Sequence, residues 1–228
     1  MVIEQQKGDV YMEIELFAPG HTIAEKFLKQ FCYPWDSLSS IKSIILELGS
    51  HLSKDYEERS ENVWIHRTAI VAPSAYLGSP CIIGPETEVR HCAFIRSSTL
   101  VGANCVVGNS VELKNVILFD GVQVPHYNYV GDSILGYKSH MGAGSITSNV
   151  KSDKSLVTVK CGEVRIETGL KKFGAILGDY VEIGCNSVLN PGTVVGPNSV
   201  VYPTLSVRGS IPAFSVMKSS GEIVPRKP

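Results

Sequence analysis

Charge is scarce in this chain: only 19% of its 228 residues are Asp, Glu, Lys or Arg, below the roughly 25% of an ordinary soluble domain. Twenty-one basic against 22 acidic side chains leave a formal charge of −1, so bulk attraction to nucleic acid or an acidic membrane is not its theme. No uncharged apolar run approaches the roughly 20 residues of a membrane span, and no basic stretch precedes an apolar one near Met1. The expectation is a soluble cytoplasmic protein that engages neither nucleic acid nor membrane. Paired cysteines are missing too. Cys32, Cys81, Cys92, Cys105, Cys161 and Cys185 are scattered with no CxxC, which speaks against a disulfide framework and a structural zinc site, and for a reduced chain with buried thiols. No metal is expected.

What is abundant is aliphatic, and it is periodic. Hydrophobic residues make up 43% of the chain, enough for a sizeable core. From residue 71 they recur every six positions: Val71, Leu77, Ile83, Val89, Ile95, Val101, Val107, Leu113 and Phe119. After slips of one residue the pattern resumes with Val130, Leu135 and Met141, and it returns as Leu177, Ile183, Leu189, Val195, Val201 and Val207. Glycine often follows the aliphatic residue, as at Gly78, Gly84, Gly102 and Gly108, which suits a tight bend. A period of six is neither helical nor that of an ordinary strand. It fits a parallel β-helix of hexapeptide repeats, three to a turn of about 18 residues, with turns stacked about 4.8 Å apart. A sandwich of evenly spaced strands would not hold so long a register.

Two segments interrupt the repeat. Residues 1–62 read as a helical N-terminal cap. Thr22 and Glu25 form a capping box ahead of Ile23, Phe27 and Phe31, and Asp36 caps a second helix with Leu38, Ile41, Ile45, Leu48 and Leu52 on one face. These helices are expected to cover the open first coil, whose strands would otherwise be unpaired edges. Within the β-helix of residues 63–212, an insertion at about 148–172 contains LVTVKCGEVRIETG, a hairpin turning near Cys161-Gly162. Residues 213–228 form a C-terminal tail.

The coil geometry singles out two places. Arg96 and Lys114 are 18 residues apart and each follows an inward aliphatic, so one turn stacks them on the same face. Two stacked cations call for an anion, either a carboxylate such as Glu112 or a bound phosphate. His126, in VPHYNYVGD where the register first slips, falls roughly one coil beneath Ala143 in GAGSITSN. There a histidine can serve as general base while a ligand approaches exposed main-chain amides, or it is an ordinary polar corner. Zinc held by converging imidazoles does not fit, because His91, His126 and His140 are 35 and 14 residues apart rather than at coil spacing.

NSVELKNVIL, PHYNYVGDSILG, GAGSITSN and KKFGAILGDYVEIG, in this order and spacing, resemble the acetyltransferase domain of the bifunctional glucosamine-1-phosphate acetyltransferase / N-acetylglucosamine-1-phosphate uridyltransferase family. The resemblance covers roughly residues 65–212 and implies a mainly β fold, a left-handed parallel β-helix with a helical N-terminal segment and an inserted hairpin. It also implies acetyl transfer from acetyl-CoA to the amine of an amino-sugar 1-phosphate, a homotrimer with its active site between adjacent β-helices, and no metal in the reaction. Carried over position by position, the catalytic base falls on His126, the phosphate-binding cations on Arg96 and Lys114, a sugar-phosphate-binding tyrosine on Tyr129, and an active-site asparagine on Asn149. A substrate-binding lysine falls on Lys172 and a coenzyme A contact on Ala143. Two positions depart: His140 stands where the family has an asparagine for the amino sugar, and Cys185 where it has a serine near coenzyme A.

On this reading His126 takes the amine proton, while Arg96, Lys114 and Lys172 hold the phosphate. Main-chain donors near Ala143 and the Asn149 amide face the oxyanion. Lys151, Lys154 and Lys160 of the insertion are candidates for the coenzyme A phosphates or a solvated loop. The sequence offers no nucleotidyltransferase half, so uridyl transfer is not expected. The alternative is a non-catalytic trimer that binds a sugar nucleotide or has a regulatory role.

Overall fold

Inward-pointing aliphatic side chains stack in three ladders that define the interior of a prism. The computed structural model describes residues 2–6, 9–13 and 16–227. On its first face Ile65, Ile83, Val101, Leu118, Leu135, Leu177, Val195 and Ile211 lie opposite one another in successive parallel strands. The second face pairs Val71 with Val89, Val107 with Val124, Met141 with Ile183, and Val201 with Met217. The third stacks Leu77, Ile95, Leu113 and Val130, then Thr147, Leu189 and Val207. Neighbouring turns pair in parallel on all three faces, and the molecule is a β-solenoid of about nine turns, a left-handed parallel β-helix.

The one-residue slip has a structural cause. Strands Glu112–Leu118 and Tyr129–Leu135 run unbroken around the edge between the third and first faces, and five residues rather than six separate their inward positions. Leu118, not Phe119, therefore occupies the ladder. Asn115 and Asp132 make the bend in left-handed conformations with φ of 54° and 48°, which Asn and Asp tolerate better than most side chains.

The first face is buried on both sides. Its outward positions form a second apolar ladder, Trp64, Ile82, Leu100, Ile117, Ile134, Ile176 and Val194, and its strands Cys81–Ile83, Thr99–Val101, Ala175–Leu177 and Thr193–Val195 are buried throughout, whereas most strands of the other two faces bury one residue and leave the next accessible. Helix α2 (Ile41–Gly49) lays Ile41, Ile44, Ile45 and Leu48 over the early coils, the i, i+3, i+4, i+7 stripe of an amphipathic helix. Gly49 meets the Trp64 ring so closely that any side chain there would collide with it.

The N-terminal segment thus lies along the side of the prism instead of across its end. The strand that closes the first coil is Tyr56–Ser60, antiparallel on Val63–His66. The segment is also less helical than the sequence led one to expect, with strands Val2–Gln6 and Asp9–Glu13, helix α1 (Glu25–Leu28), a 3-10 turn Pro34–Ser40 and α2. Neither expected cap forms as drawn. Glu25 accepts from Gly20 N and pairs with Lys29, while Asp36 accepts from Tyr33 N at the start of the 3-10 turn.

The insertion is a hairpin at the expected place, Thr158–Cys161 antiparallel to Val164–Glu167. Phe173 N donates to Asn149 O at 2.9 Å and closes its neck. The hairpin folds back over the late coils of the first face, where Val157, Val159 and Phe173 are fully buried and Ser210 Oγ donates to Lys160 O. Cys81, Cys105 and Cys161 are buried and Cys32, Cys92 and Cys185 exposed.

Candidate functional site

The candidate residues gather at the two edges of the third face. Arg96, Lys114 and Asn149 lie at its junction with the first face, His126, Ala143 and Cys185 at its junction with the second, and Tyr129 on the strand between. Arg96 and Lys114 stack as expected, in register with the pair Ile95–Leu113. Each cation already has a carboxylate: Arg96 Nη1 lies 3.0 Å from Glu112 Oε1, and Lys114 Nζ lies 3.2 Å from Asp132 Oδ2. Of the two anions considered for this pair, the free chain uses carboxylates.

Asp132 is the residue that sequence reasoning missed, and it joins the first cluster together. Only 4% exposed, it accepts from Lys114 Nζ, from Asn115 Nδ2 at 3.0 Å and from Asn149 Nδ2 at 2.5 Å. Asn115, Asp132 and Asn149 follow one another at 17-residue spacing, one per shortened coil, so the register slip was the signal that could have found the middle one. Asn149 Nδ2 also donates to Tyr129 Oη at 3.2 Å. The Tyr129 hydroxyl sits over Gly131, where a Cβ would strike it. Burial, then the charges of Asp132 and Glu112, push the Tyr129 phenol above its ordinary value, so it stays protonated at neutral pH.

The Asn149 amide, expected to face an oxyanion, is engaged within the chain in this structure. Its amide nitrogen has two hydrogens, and Asp132 and Tyr129 take both. The side chain therefore has no donor left for an oxyanion and presents only its carbonyl oxygen.

At the other edge, His126 lies opposite Asn109 one coil below and beneath the Ala143–Gly144 bend above, with Gly144 N donating to His126 O at 2.8 Å. This is the stacking the spacing required. Its ring is exposed, while its main-chain N–H donates to Asn128 Oδ1 at 2.7 Å. Asn186 N donates to Ala143 O, which places Cys185 a coil above Ala143, and Cys185 is exposed.

His140 is not part of either cluster. It sits on the second face, where Nδ1 meets Glu182 Oε2 at 2.7 Å. Lys172 is exposed at the end of the insertion beside Phe173. Lys151 bonds to Ser155 and the Leu156 carbonyl within the insertion, and Lys154 and Lys160 are exposed. Among the described residues no group of three or more His, Cys, Asp and Glu could hold a metal ion, and no helix is long and apolar enough to cross a membrane.

A hexapeptide-repeat β-helix with polar clusters along two edges of one face defines the class. Residues 79–202 match the family of the GMPPB C-terminal domain, and the chain belongs to that family. It is 31% identical over 197 residues, 85% of its length and 47% of the relative's, to the bifunctional protein GlmU of Methanococcus vannielii. It is 34% identical over 91 residues, 40% of its length and 23% of the relative's, to the bifunctional sugar-1-phosphate nucleotidylyltransferase/acetyltransferase of Sulfurisphaera tokodaii. The chain spans about half the length or less of these relatives. Among solved structures, the acetyltransferase domain of PglB from Neisseria gonorrhoeae with acetyl coenzyme A aligns at TM-score 0.37 and 16% identity, covering 83% of this chain and 67% of that one, a likeness too low to bear on function.

Proposed function

We propose that the protein is an acetyltransferase that moves the acetyl group of acetyl-CoA to the amine of an amino-sugar 1-phosphate such as glucosamine-1-phosphate. The observation that carries this reading is the Lys114–Asp132–Asn149–Tyr129 cluster around a buried carboxylate, with Arg96 beside it, across one strand from an exposed histidine at a main-chain bend. The relative named as a bifunctional sugar-1-phosphate nucleotidylyltransferase/acetyltransferase supports it.

In the reaction the amine nitrogen attacks the thioester carbonyl carbon, the C–N bond forms, the C–S bond breaks and the thiolate leaves. His126 accepts the proton released by the amine, since an ammonium has no lone pair to attack with. Arg96, Lys114, Lys172 and the Tyr129 hydroxyl hold the sugar phosphate. The main-chain N–H of Ala143 faces the developing oxyanion, and Ala143 and Cys185 border the coenzyme A chain. The substrates meet between copies of the chain in a homotrimer. In support, the first face is covered by the protein's own residues, and the open third face carries Tyr76 and Phe94 with ring centroids 5.5 Å apart.

One observation favours a binding or regulatory role without chemistry: both cations are already neutralised within the chain. Release of coenzyme A thiol from acetyl-CoA, with glucosamine-1-phosphate and galactosamine-1-phosphate in parallel and His126→Ala as control, separates the two. Release that requires both the sugar phosphate and His126 supports transfer. A chain that binds neither coenzyme A nor releases thiol with either sugar favours the binding role.

A further inference from the structure

The Asp132 carboxylate has four pairs of electrons to offer and no proton to give. Whatever atom of Asn149 faces it must be the amide nitrogen, because the amide oxygen there would oppose one acceptor with another. The remaining hydrogen of that nitrogen is spent on the Tyr129 oxygen. The Tyr129 hydroxyl, receiving a hydrogen bond, keeps its own hydrogen for a group outside the cluster, and the Asn149 side-chain oxygen Oδ1 accepts nothing among the described residues. Asp132 itself has little freedom to arrange things otherwise. It is held at the five-residue bend with Gly174 N on its carbonyl, and Asn115 Nδ2 bridges its carboxylate to Leu38 O at 3.0 Å.

We propose that Asp132 is a positioning residue that sets the hydrogen-bond polarity of the site, so that Asn149 presents an acceptor and Tyr129 a donor to the sugar. Resting on the acetyl-transfer reading, this assigns Asn149 a substrate N–H or O–H, the amine or a neighbouring hydroxyl, and assigns Tyr129 a phosphate or sugar oxygen. A substrate with those two groups exchanged would oppose donor to donor and acceptor to acceptor, so the pair discriminates by unmade bonds. Asp132 touches no substrate; it acts through Asn149 and Lys114.

The swap Asp132→Asn with Asn149→Asp separates polarity from packing. It restores one amide and one carboxylate in the same volume, and Asn suits the left-handed bend. Yet a carboxylate at position 149 can only accept, so Tyr129 turns its hydrogen inward. We expect Asp132→Asn to lower both Tm and kcat/KM. The swap should regain most of the lost Tm while kcat/KM for the sugar phosphate stays roughly tenfold or more below wild type, about the cost of one misdirected hydrogen bond. Recovery of both together would overturn the proposal.

A second readout needs no turnover. With nitrogen-labelled asparagine, the Asn149 side-chain resonances are identified by their loss in Asn149→Asp. Both amide hydrogens should be shifted downfield and slow to exchange, and Asp132→Ala should release one of them. Fast exchange of both hydrogens in the wild-type chain would overturn the proposal. Protected hydrogens in a chain that acetylates no amino-sugar phosphate would uphold the polarity and overturn the acetyl-transfer reading.

Discussion

The rings of Trp35 and Phe173 lie 6.0 Å apart at an angle of 28°, so the N-terminal segment and the end of the insertion share one buried contact over the first face of the prism. Both side chains are wholly buried. Phe173 is also the residue whose N–H closes the neck at Asn149, and this contact therefore ties two excursions from the repeat to the polar cluster.

Trp35→Ala and Phe173→Ala should each cost about 3–5 kcal/mol, the range for emptying a large aromatic site. Because each opens the same cavity, the double variant should fall short of the sum by about 0.5–3 kcal/mol. Urea unfolding of the three variants checks it, and strict additivity would mean that the two excursions are held independently.

His126→Ala should lower turnover by roughly 10² or more, the scale for loss of a general base, with the unfolding midpoint nearly unchanged because the ring is exposed. Steady-state thiol release at saturating acetyl-CoA gives the number. Turnover near wild type would remove His126 from the chemistry.

Lys114→Ala leaves the Asp132 carboxylate, 4% exposed, with amides but no cation. A loss of about 1–3 kcal/mol follows from an underserved buried acceptor, together with a raised KM for the sugar phosphate. Unchanged affinity with lowered stability would show that the cation serves the fold alone.

Burial holds the Asp120 carboxyl above its ordinary 3.8, against the pull of Ala103 N and His21. Asp179 is raised for the same first reason, opposed by Ala18 N and Tyr137 N. A raised acid binds its proton more readily in the folded chain, so stability falls as pH rises from 3.8 through the folded value. Asp120→Asn keeps an oxygen for Ala103 N and should flatten part of that descent, Asp179 supplying the rest. Urea midpoints between about pH 4 and pH 7 test it. An unaltered slope would acquit Asp120.

Burial pushes the Cys81 and Cys105 thiols up to about 12. Iodoacetamide at mildly alkaline pH should therefore alkylate the exposed Cys32, Cys92 and Cys185 well before these two. On the proposed function, coenzyme A should protect Cys185. Peptide mass spectrometry reads each site. Early labelling of Cys81, which shares the inward side of its strand with Ile83, would mean that the interior of the coil is open to the reagent.

The repeat was legible because one aliphatic residue in six is a strong, local signal, and the hairpin because Cys161-Gly162 separates two alternating runs. The covered face was less so. Its signal lay in the triplets CII, TLV, VIL, AIL and TVV, where the residue before the inward aliphatic is apolar too. The caps of the N-terminal segment misled because Glu25 and Asp36 have the right spacing for one partner and a better one nearby in space. In the site, Arg96, Lys114 and the stacking of His126 under Ala143 followed from period alone. Asp132 did not: its trace in the sequence was the register slip, and its partners, Lys114 and Asn115 from one neighbouring coil and Asn149 from the other, meet it only in the folded chain.

A parallel coil has no natural length, because each turn is a template for another. Here the strand Tyr56–Ser60 runs backwards across one end with Glu57, Glu58 and Arg59 exposed along it. Near the other end Ile223–Pro225 runs backwards on Ser215–Met217, and Pro225 has no N–H to give. Charge and proline on reversed strands discourage a second molecule from adding on. Side-by-side association of such prisms leaves both reversed strands in place, whereas end-to-end growth would have to get past them.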